Sequence, residues 1–356
     1  MTDLQLTIYP YTLLFKKPAT TSRGTYLRRK VWFVVAGRKG DACHFGIGEC
    51  APLPDLSCDD LPDYEEFLKV CCDKIQSGES CDSLRDYPSI RFGIETALMH
   101  LEHPDLTFWK SGFTAGSEGI RTNGLIWMSG LEEMQRQINE KIRNGFSCIK
   151  LKISAPEFPG QLALIEHIRS LYPAEKLEIR VDANGSFPYT SEILDCLKAL
   201  ADLQIHSIEQ PIPAGNWEQM QHLVEKSPLP IALDEGLIGI NNPDDKLLML
   251  KKIHPCYIIL KPSLHGGISG CNEWIALAES LKIGWWMTSA LESNIGLNAI
   301  AQFAAFKEVT MSQGLGTGAL FTNNIRMPIQ LVGESLRFCP EEVESGQSLL
   351  SRIVGK

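Results

Sequence analysis

The sequence predicts an α/β protein in which a barrel of alternating strands and helices follows a smaller α+β module. Three observations predict it. From about Thr122 onward, apolar runs of strand length alternate with amphipathic helical runs, giving about eight units over roughly 200 residues, the size of a (β/α)8 barrel. Five successive runs end in charge: Ile149-Lys150-Leu151-Lys152, Arg180-Val181-Asp182-Ala183-Asn184, Ile208-Glu209-Gln210-Pro211, Leu233-Asp234-Glu235 and Leu260-Lys261-Pro262. An open doubly wound sheet gathers its site at one switch point, so charge along five strands favours the barrel. The first third has another rhythm, strands first and helices after, as in an α+β module.

Taken in order, Leu4, Leu6 and Ile8 alternate as in a strand, and 31–35 and 45–48 read as further strands joined by Gly and basic turns. Tyr64, Phe67, Leu68, Cys71, Cys72 and Ile75 share one helical face, and a second helix covers 90–101. The alternation then begins with a short strand at 125–128. Its helix carries Leu131, Met134, Ile138 and Ile142 and is closed by Asn144-Gly145. Strands follow at 148–153, 177–181, 205–208, 230–233, 257–260 and 283–287, with a last short one near Leu315. After Phe321 the repeat is lost, and the strand-like tail is expected to return to the first module.

Composition narrows the function classes. The 356 residues, 44% hydrophobic and 22% charged, are those of a globular protein of one large or two ordinary domains. A net charge of −9 without a basic run argues against a nucleic-acid partner. Residues 1–10 alternate like a strand rather than an export signal, and no apolar stretch is long enough to span a bilayer. The eleven cysteines are irregularly spaced and odd in number, as expected of reduced thiols filling core positions rather than disulfides or zinc ligands. Cytoplasmic location and no membrane partner are expected, and association into a homo-oligomer is left open.

A charge ending a buried strand costs desolvation free energy unless something compensates it. Residues two apart in a strand share a face, so Lys150 and Lys152 point together into the barrel mouth, and Asp182 and Asn184 do the same one strand later. Asp182, Glu209 and Asp234 come from successive strands, and three hard oxygen ligands without His or Cys suit Mg2+ better than zinc. Helix N-capping is the bland reading of Asp182 and Asp234 taken singly; three in register favour the metal. Glu235 and Asn184 are placed to orient the ligands. Lys152 precedes and Lys261 follows the carboxylate strands, which puts lysines on both sides of the metal. A lysine desolvated beside a cation becomes a usable general base. The layout suits proton abstraction next to a carboxylate, with Mg2+ holding the enediolate.

Other features carry less. Gly314-Leu315-Gly316-Thr317-Gly318 lacks the helix-opening fingerprint of a nucleotide loop and reads as a barrel-rim turn. The eight histidines are scattered without metal spacing, and Trp285-Trp286 is expected to pack within the seventh strand. A Schiff-base aldolase would use the lysines but leaves the three carboxylates unexplained. A metal-dependent binding protein is the non-enzymatic alternative.

These strand-end words, in this order, resemble the enolase superfamily, muconate-lactonising subgroup. The resemblance implies a modified (β/α)7β TIM-type barrel with an α+β N-terminal capping domain completed by the C-terminal tail. The expected divisions are 1–118 for the cap with its lid loops, 119–320 for the barrel and 321–356 for the returning segment. The chain is most similar to the o-succinylbenzoate synthase family through Gly46-Ile47-Gly48-Glu49-Cys50-Ala51-Pro52-Leu53-Pro54, Pro88-Ser89-Ile90-Arg91-Phe92-Gly93 and Ser289-Ala290-Leu291-Glu292-Ser293. The loop Lys17-Pro18-Ala19-Thr20-Thr21-Ser22-Arg23-Gly24 resembles that family's lid.

The resemblance implies dehydration of 2-succinyl-6-hydroxy-2,4-cyclohexadiene-1-carboxylate to 2-succinylbenzoate in menaquinone biosynthesis. It makes Lys152 the base, and then the acid that assists hydroxide departure from the same face. Lys261 stays cationic against the ring, and Lys150 lowers the pKa of Lys152 and touches the substrate carboxylate. Asp182, Glu209 and Asp234 hold Mg2+, for which Mn2+ can substitute. Ser22, Arg23, Ser289 and Thr317 are the expected contacts of the succinyl tail, so the expected partner is a small-molecule carboxylate. N-acylamino-acid racemase or dipeptide epimerase activity with the same two lysines is the alternative. The Asp-x-Asp word with which dipeptide epimerases of the subgroup bind the substrate amine is missing from 312–321.

Overall fold

The computed structural model describes residues 3–21, 24–41 and 44–355. Strands β1 (Leu4–Thr21), β2 (Gly24–Arg38) and β3 (Gly46–Cys50) form an antiparallel sheet in that order. Alternation along β2 gives the sheet two apolar faces. Val31, Phe33 and Val35 join the core shared with the barrel, whereas Trp32, Val34 and Ala36 pack with helices α1 (Tyr64–Gln76) and α2 (Pro88–Glu102). Contact between α2 and β3 is so close that a Cβ on Gly46 or Gly48 would stand 1.9 Å from a carbonyl oxygen of the helix. Glycine at both positions is therefore a packing requirement.

A short strand, β4 (Gly119–Arg121), leads into the barrel. There β5 (Gly124–Ile126), β6 (Cys148–Lys152), β7 (Glu178–Asp182), β8 (Ser207–Glu209), β9 (Ile231–Leu233), β10 (Tyr257–Leu260) and β11 (Gly284–Met287) form one parallel sheet in chain order. The helices between them are α3 (Leu131–Arg143), α4 (Phe158–Leu171), α5 (Glu192–Asp202), α6 (Trp217–Lys226), α7 (Pro243–Ile253) and α8 (Gly267–Ser280), with α9 (Asn294–Phe306) after β11. The eighth strand expected near Leu315 is reduced to two parallel bridges, Thr122 to Gln313 and Thr288 to Gly314. Side chains make up the shortfall. Gln313 accepts Met287 N (2.7 Å) and donates to Met311 O (2.7 Å), while Arg180 reaches across the interior to Ser312 O (2.9 Å). The Arg180 guanidinium also stacks 4.3 Å over Trp286, filling the barrel beneath the site.

In the tail, β12 (Ile329–Val332) and β13 (Ser335–Phe338) form a hairpin whose second strand pairs with β4, and helix α10 (Gly346–Val354) packs near β1 and β3. Asn323 exchanges side-chain bonds with Leu14 N and Thr12 O of β1 (both 2.8 Å). No helix among the described residues is long and apolar enough to cross a membrane, and every described cysteine is unpaired.

Cap and barrel meet through charged groups removed from water. Glu49 of β3 accepts Ser293 N (2.8 Å), Ser293 Oγ (2.5 Å) and Gly296 N (2.9 Å) at the start of α9. Arg29 of β2 donates to Ala290 O and to Ala51 O. Burial pushes the Glu49 carboxyl up to about 7, the Ser293 and Gly296 donors offsetting only part of that rise. A carboxyl raised in the folded state binds more protons there than in the unfolded chain. Its contribution is therefore most favourable near pH 4.5 and is lost as pH climbs to about 7, by about 3 kcal/mol. Denaturant titrations of wild type and Glu49→Gln between pH 5 and 8 are expected to show a flatter pH dependence in the variant. Equal slopes would remove Glu49 from the account.

Candidate active site

Parallel register sets the acidic groups side by side. Lys152 on β6 pairs with Asp182 on β7, Asp182 pairs with Glu209 on β8, and Asp234 follows the last residue of β9. Each charged side chain ends an apolar strand whose alternate residues, such as Leu151, Val181, Ile208 and Leu233, are buried in the core. Asp182, Glu209 and Asp234 are themselves 0% exposed. One carboxylate oxygen from each lies within 4.8 Å of the others.

The turns after the strands support this cluster. Asn184 and Gln210 take left-handed conformations, with φ of 44° and 38°, which turns the chain sharply at the mouth. The Gln210 side chain accepts Asp234 N (3.3 Å) and Gly236 N (3.0 Å) and donates to Ile212 O (2.9 Å), tying the β8 and β9 ends together. Asp234 stands at the N-cap of a short 3-10 turn but makes no capping bond. Its Oδ2 accepts Lys261 Nζ at 2.5 Å instead.

Three ammonium groups face the carboxylates. Lys150 donates to Asp182 (3.0 Å) and Glu209 (2.7 Å) from a buried position, and Lys152 donates to Asp182 (2.6 Å) and to Asn184 Oδ1 (2.7 Å). Asn184 Nδ2 reaches Glu235 Oε1 at 2.7 Å. Burial alone would lower Lys150 and Lys261. The adjacent carboxylates outweigh it and hold both above the ordinary lysine value, Asp182, Glu209 and Asp234 for Lys150 and Asp234 and Glu235 for Lys261. Burial opposes the Asp182 charge as well, yet Lys150 and Lys152 hold that carboxyl well below its usual range. Glu209 goes the other way: burial, with Asp182 and Asp234 beside it, pushes it up to about 8 despite Lys150.

Glu209 Oε1 and Asp234 Oδ1 are buried without a hydrogen-bond partner. Orphaned acceptors of this kind are costly unless a ligand satisfies them. Converging carboxylate oxygens with no nitrogen or sulfur donor fit a hard divalent cation.

Above the cluster lies a cavity of about 300 Å³. Lys150, Lys152, Asn184, Glu235, Lys261, Ser289 and Thr317 all line it. Thr317 Oγ1 donates to Ser289 Oγ (2.8 Å), which also accepts Leu291 N (3.1 Å). The other two expected tail contacts, Ser22 and Arg23, lie outside the described residues. Sequence reasoning missed the apolar wall from Leu53, Leu56, Leu125, Trp127, Phe146 and Leu331, and also Lys141. Leu125 and Trp127 carry the period of a mouth-facing strand end; the others come from separate elements with no common pattern.

Fold and site define a barrel enzyme whose buried carboxylate triad fits a divalent metal and whose lysine-lined cavity has room for a small molecule. The family model "Enolase C-terminal domain-like" matches residues 133–325, and "MenC, N-terminal domain" matches 4–101. The o-succinylbenzoate synthase of Desulfotalea psychrophila is 41% identical over 91% of this chain and 96% of its own. That of Bacillus subtilis is 24% identical over 91% and 89%. The crystal structure of MenC from Desulfotalea psychrophila superposes with a TM-score of 0.82 at 37% identity, covering 94% of this chain and all of that one. N-succinyl Arg/Lys racemase from Bacillus cereus superposes at 0.83 over 99% and 98% of the chains, but at 20% identity shares the fold alone. The chain belongs to the o-succinylbenzoate synthase family of the enolase superfamily.

Proposed function

We propose that the chain is a hydro-lyase that dehydrates 2-succinyl-6-hydroxy-2,4-cyclohexadiene-1-carboxylate to 2-succinylbenzoate, a step of menaquinone biosynthesis. The observation that carries the reading is Lys152 Nζ at the cavity floor, held by Asp182 and Asn184 beside the buried triad. Lys152 takes the proton next to the ring carboxylate. The electron pair of that C–H bond closes the aromatic ring as the C–O bond breaks, and the new Lys152 ammonium returns its proton to the departing hydroxyl, releasing water from the same face.

Lys261, kept charged by Asp234, lies against the ring. Lys150 holds Asp182 and Glu209 in place and faces the ring carboxylate. Asp182, Glu209 and Asp234 would hold Mg2+, with Mn2+ as a substitute, and the bound cation supplies positive charge for the carboxylate whose neighbouring proton leaves. Asn184 and Glu235 orient the base and the ligands, and Ser289 and Thr317 border the substrate. We place the enzyme in the cytoplasm, leave its oligomeric state open, and take residues 1–118, 119–320 and 321–356 as cap, barrel and returning segment.

N-acylamino-acid racemisation is the second reading, favoured by a second lysine, Lys261, lining the same cavity. One assay separates the two: purified enzyme with Mg2+ on the cyclohexadiene substrate, beside N-succinyl amino acids and dipeptides. Rapid aromatisation with slow or no racemisation is expected. Racemisation without aromatisation would overturn the dehydratase reading.

A further inference from the structure

The cavity does not end at the lysines. The last backbone bond between the first and eighth strand positions is Asn123 N to Gln313 O (2.9 Å), and among the described residues none links 124–127 to 314–320. On this open side the lining passes to Lys141 of α3, Phe146 and Leu331 of β12. A Cβ on Gly124 would stand 3.0 Å from Lys141 Cγ and Cδ, so glycine lets the lysine stem lie against β5. Lys141 Nζ sits 4.9 Å from the centroid of the Phe146 ring. Among the described residues no carboxylate pairs with it, and the neighbouring Glu140 faces Arg136 instead, at 3.4 Å. Burial lowers the Lys141 ammonium from its ordinary value, Glu140 offsetting part of that.

An ammonium drawn out of water beside a mostly apolar wall, without an acid of its own, is a receptor for an anion. The substrate proposed above carries two carboxylates, and the chemistry at Lys152 needs the one on the ring. The other ends the flexible succinyl chain. We propose that Lys141 receives this terminal carboxylate, with the opening between β5 and 314–320 as the channel for the tail. The inference rests on the dehydratase reading.

The test titrates 2-succinylbenzoate and 2-butanoylbenzoate, which keeps the ring carboxylate but has an uncharged tail, onto Mg2+-loaded wild type, Lys141→Met and Lys141→Arg. Wild type is expected to prefer the dicarboxylate by about tenfold or more, the range of a charge-assisted bond. Lys141→Met brings the ratio close to one without weakening the butanoyl compound, and Lys141→Arg keeps most of the preference. In turnover, Lys141→Met raises KM by a similar factor with kcat little changed.

A wild-type ratio near one, or an undiminished ratio in Lys141→Met, overturns the proposal. If Lys141→Met folds poorly by circular dichroism, Lys141→Gln and the wild-type ratio decide. Binding of the stable product is read separately from dehydration. Wild type inactive on the cyclohexadiene therefore sinks the dehydratase reading, whereas an active wild type with an unaltered variant ratio sinks only the role of Lys141.

Discussion

Lys152→Ala is expected to lower kcat for dehydration by about 10^4-fold, the upper range for loss of one general acid–base group. One side chain serves both proton transfers in the proposed reaction, so nothing compensates when it goes. The loss should be chemical rather than structural. Asp182 Oδ2 keeps its bond from Lys150 at 3.0 Å, and Asp182 Oδ1 keeps the Asn184 backbone N–H at 3.1 Å. Divalent-metal affinity is accordingly expected to survive. Lys152→Arg should be nearly as inactive, because guanidinium retains the charge but does not deprotonate. Lys261→Ala is expected to lose less, as suits a purely electrostatic partner; a loss of equal size would show that Lys261 also takes part in the proton transfers of dehydration. Single-turnover aromatisation at saturating metal, with metal titration of each variant, makes the measurement. Near-native kcat in Lys152→Ala would refute its role as base.

The parts of the molecule that were legible in the sequence share one physical property. An apolar run ending in Asp, Glu or Lys has few tolerable environments, and parallel register then fixes neighbours, so Lys152, Asp182 and Glu209 meet across β6, β7 and β8. The cap sheet announced itself only in part. Apolar residues place a strand at 31–35, but β2 continues back through Arg28-Arg29-Lys30 to Gly24. That basic stretch looks like a turn, yet Arg29 is 3% exposed because its guanidinium finds carbonyls of both cap and barrel. The eighth barrel strand was hard to read for the opposite reason. Gln313 and Arg180 side chains replace ladder bonds there, and such bonds leave no periodic signal. Lys141, Phe146 and Leu331 meet only through tertiary packing, which no local pattern encodes.

Glu209→Gln is expected to weaken divalent-metal binding by at least about 100-fold while the barrel stays folded. Losing a direct ligand should cost no less than the 10–100-fold typical of groups that merely support one. Glutamine keeps the volume of the buried side chain, and its carbonyl oxygen can still accept the Lys150 bond made now at 2.7 Å. Its amide replaces Oε1, the oxygen that has no protein partner, with donors facing the carboxylates of Asp182 and Asp234. The metal-free protein should therefore tolerate the change well. Since burial and the two aspartates push Glu209 up to about 8, its ionised form destabilises the metal-free fold increasingly as pH rises from about 4.5 to 8. Removing that charge is expected to raise the melting temperature of metal-free protein at pH 8. Added Mg2+ or Mn2+ at free concentration c should then stabilise wild type, by RT ln(1 + c/Kd), and leave the variant almost unmoved. Calorimetric titration and paired melting curves, neither of which requires turnover, test both halves. A variant that binds metal as tightly as wild type would show that Glu209 is not a ligand, and the three buried carboxylates would need another explanation than a shared cation.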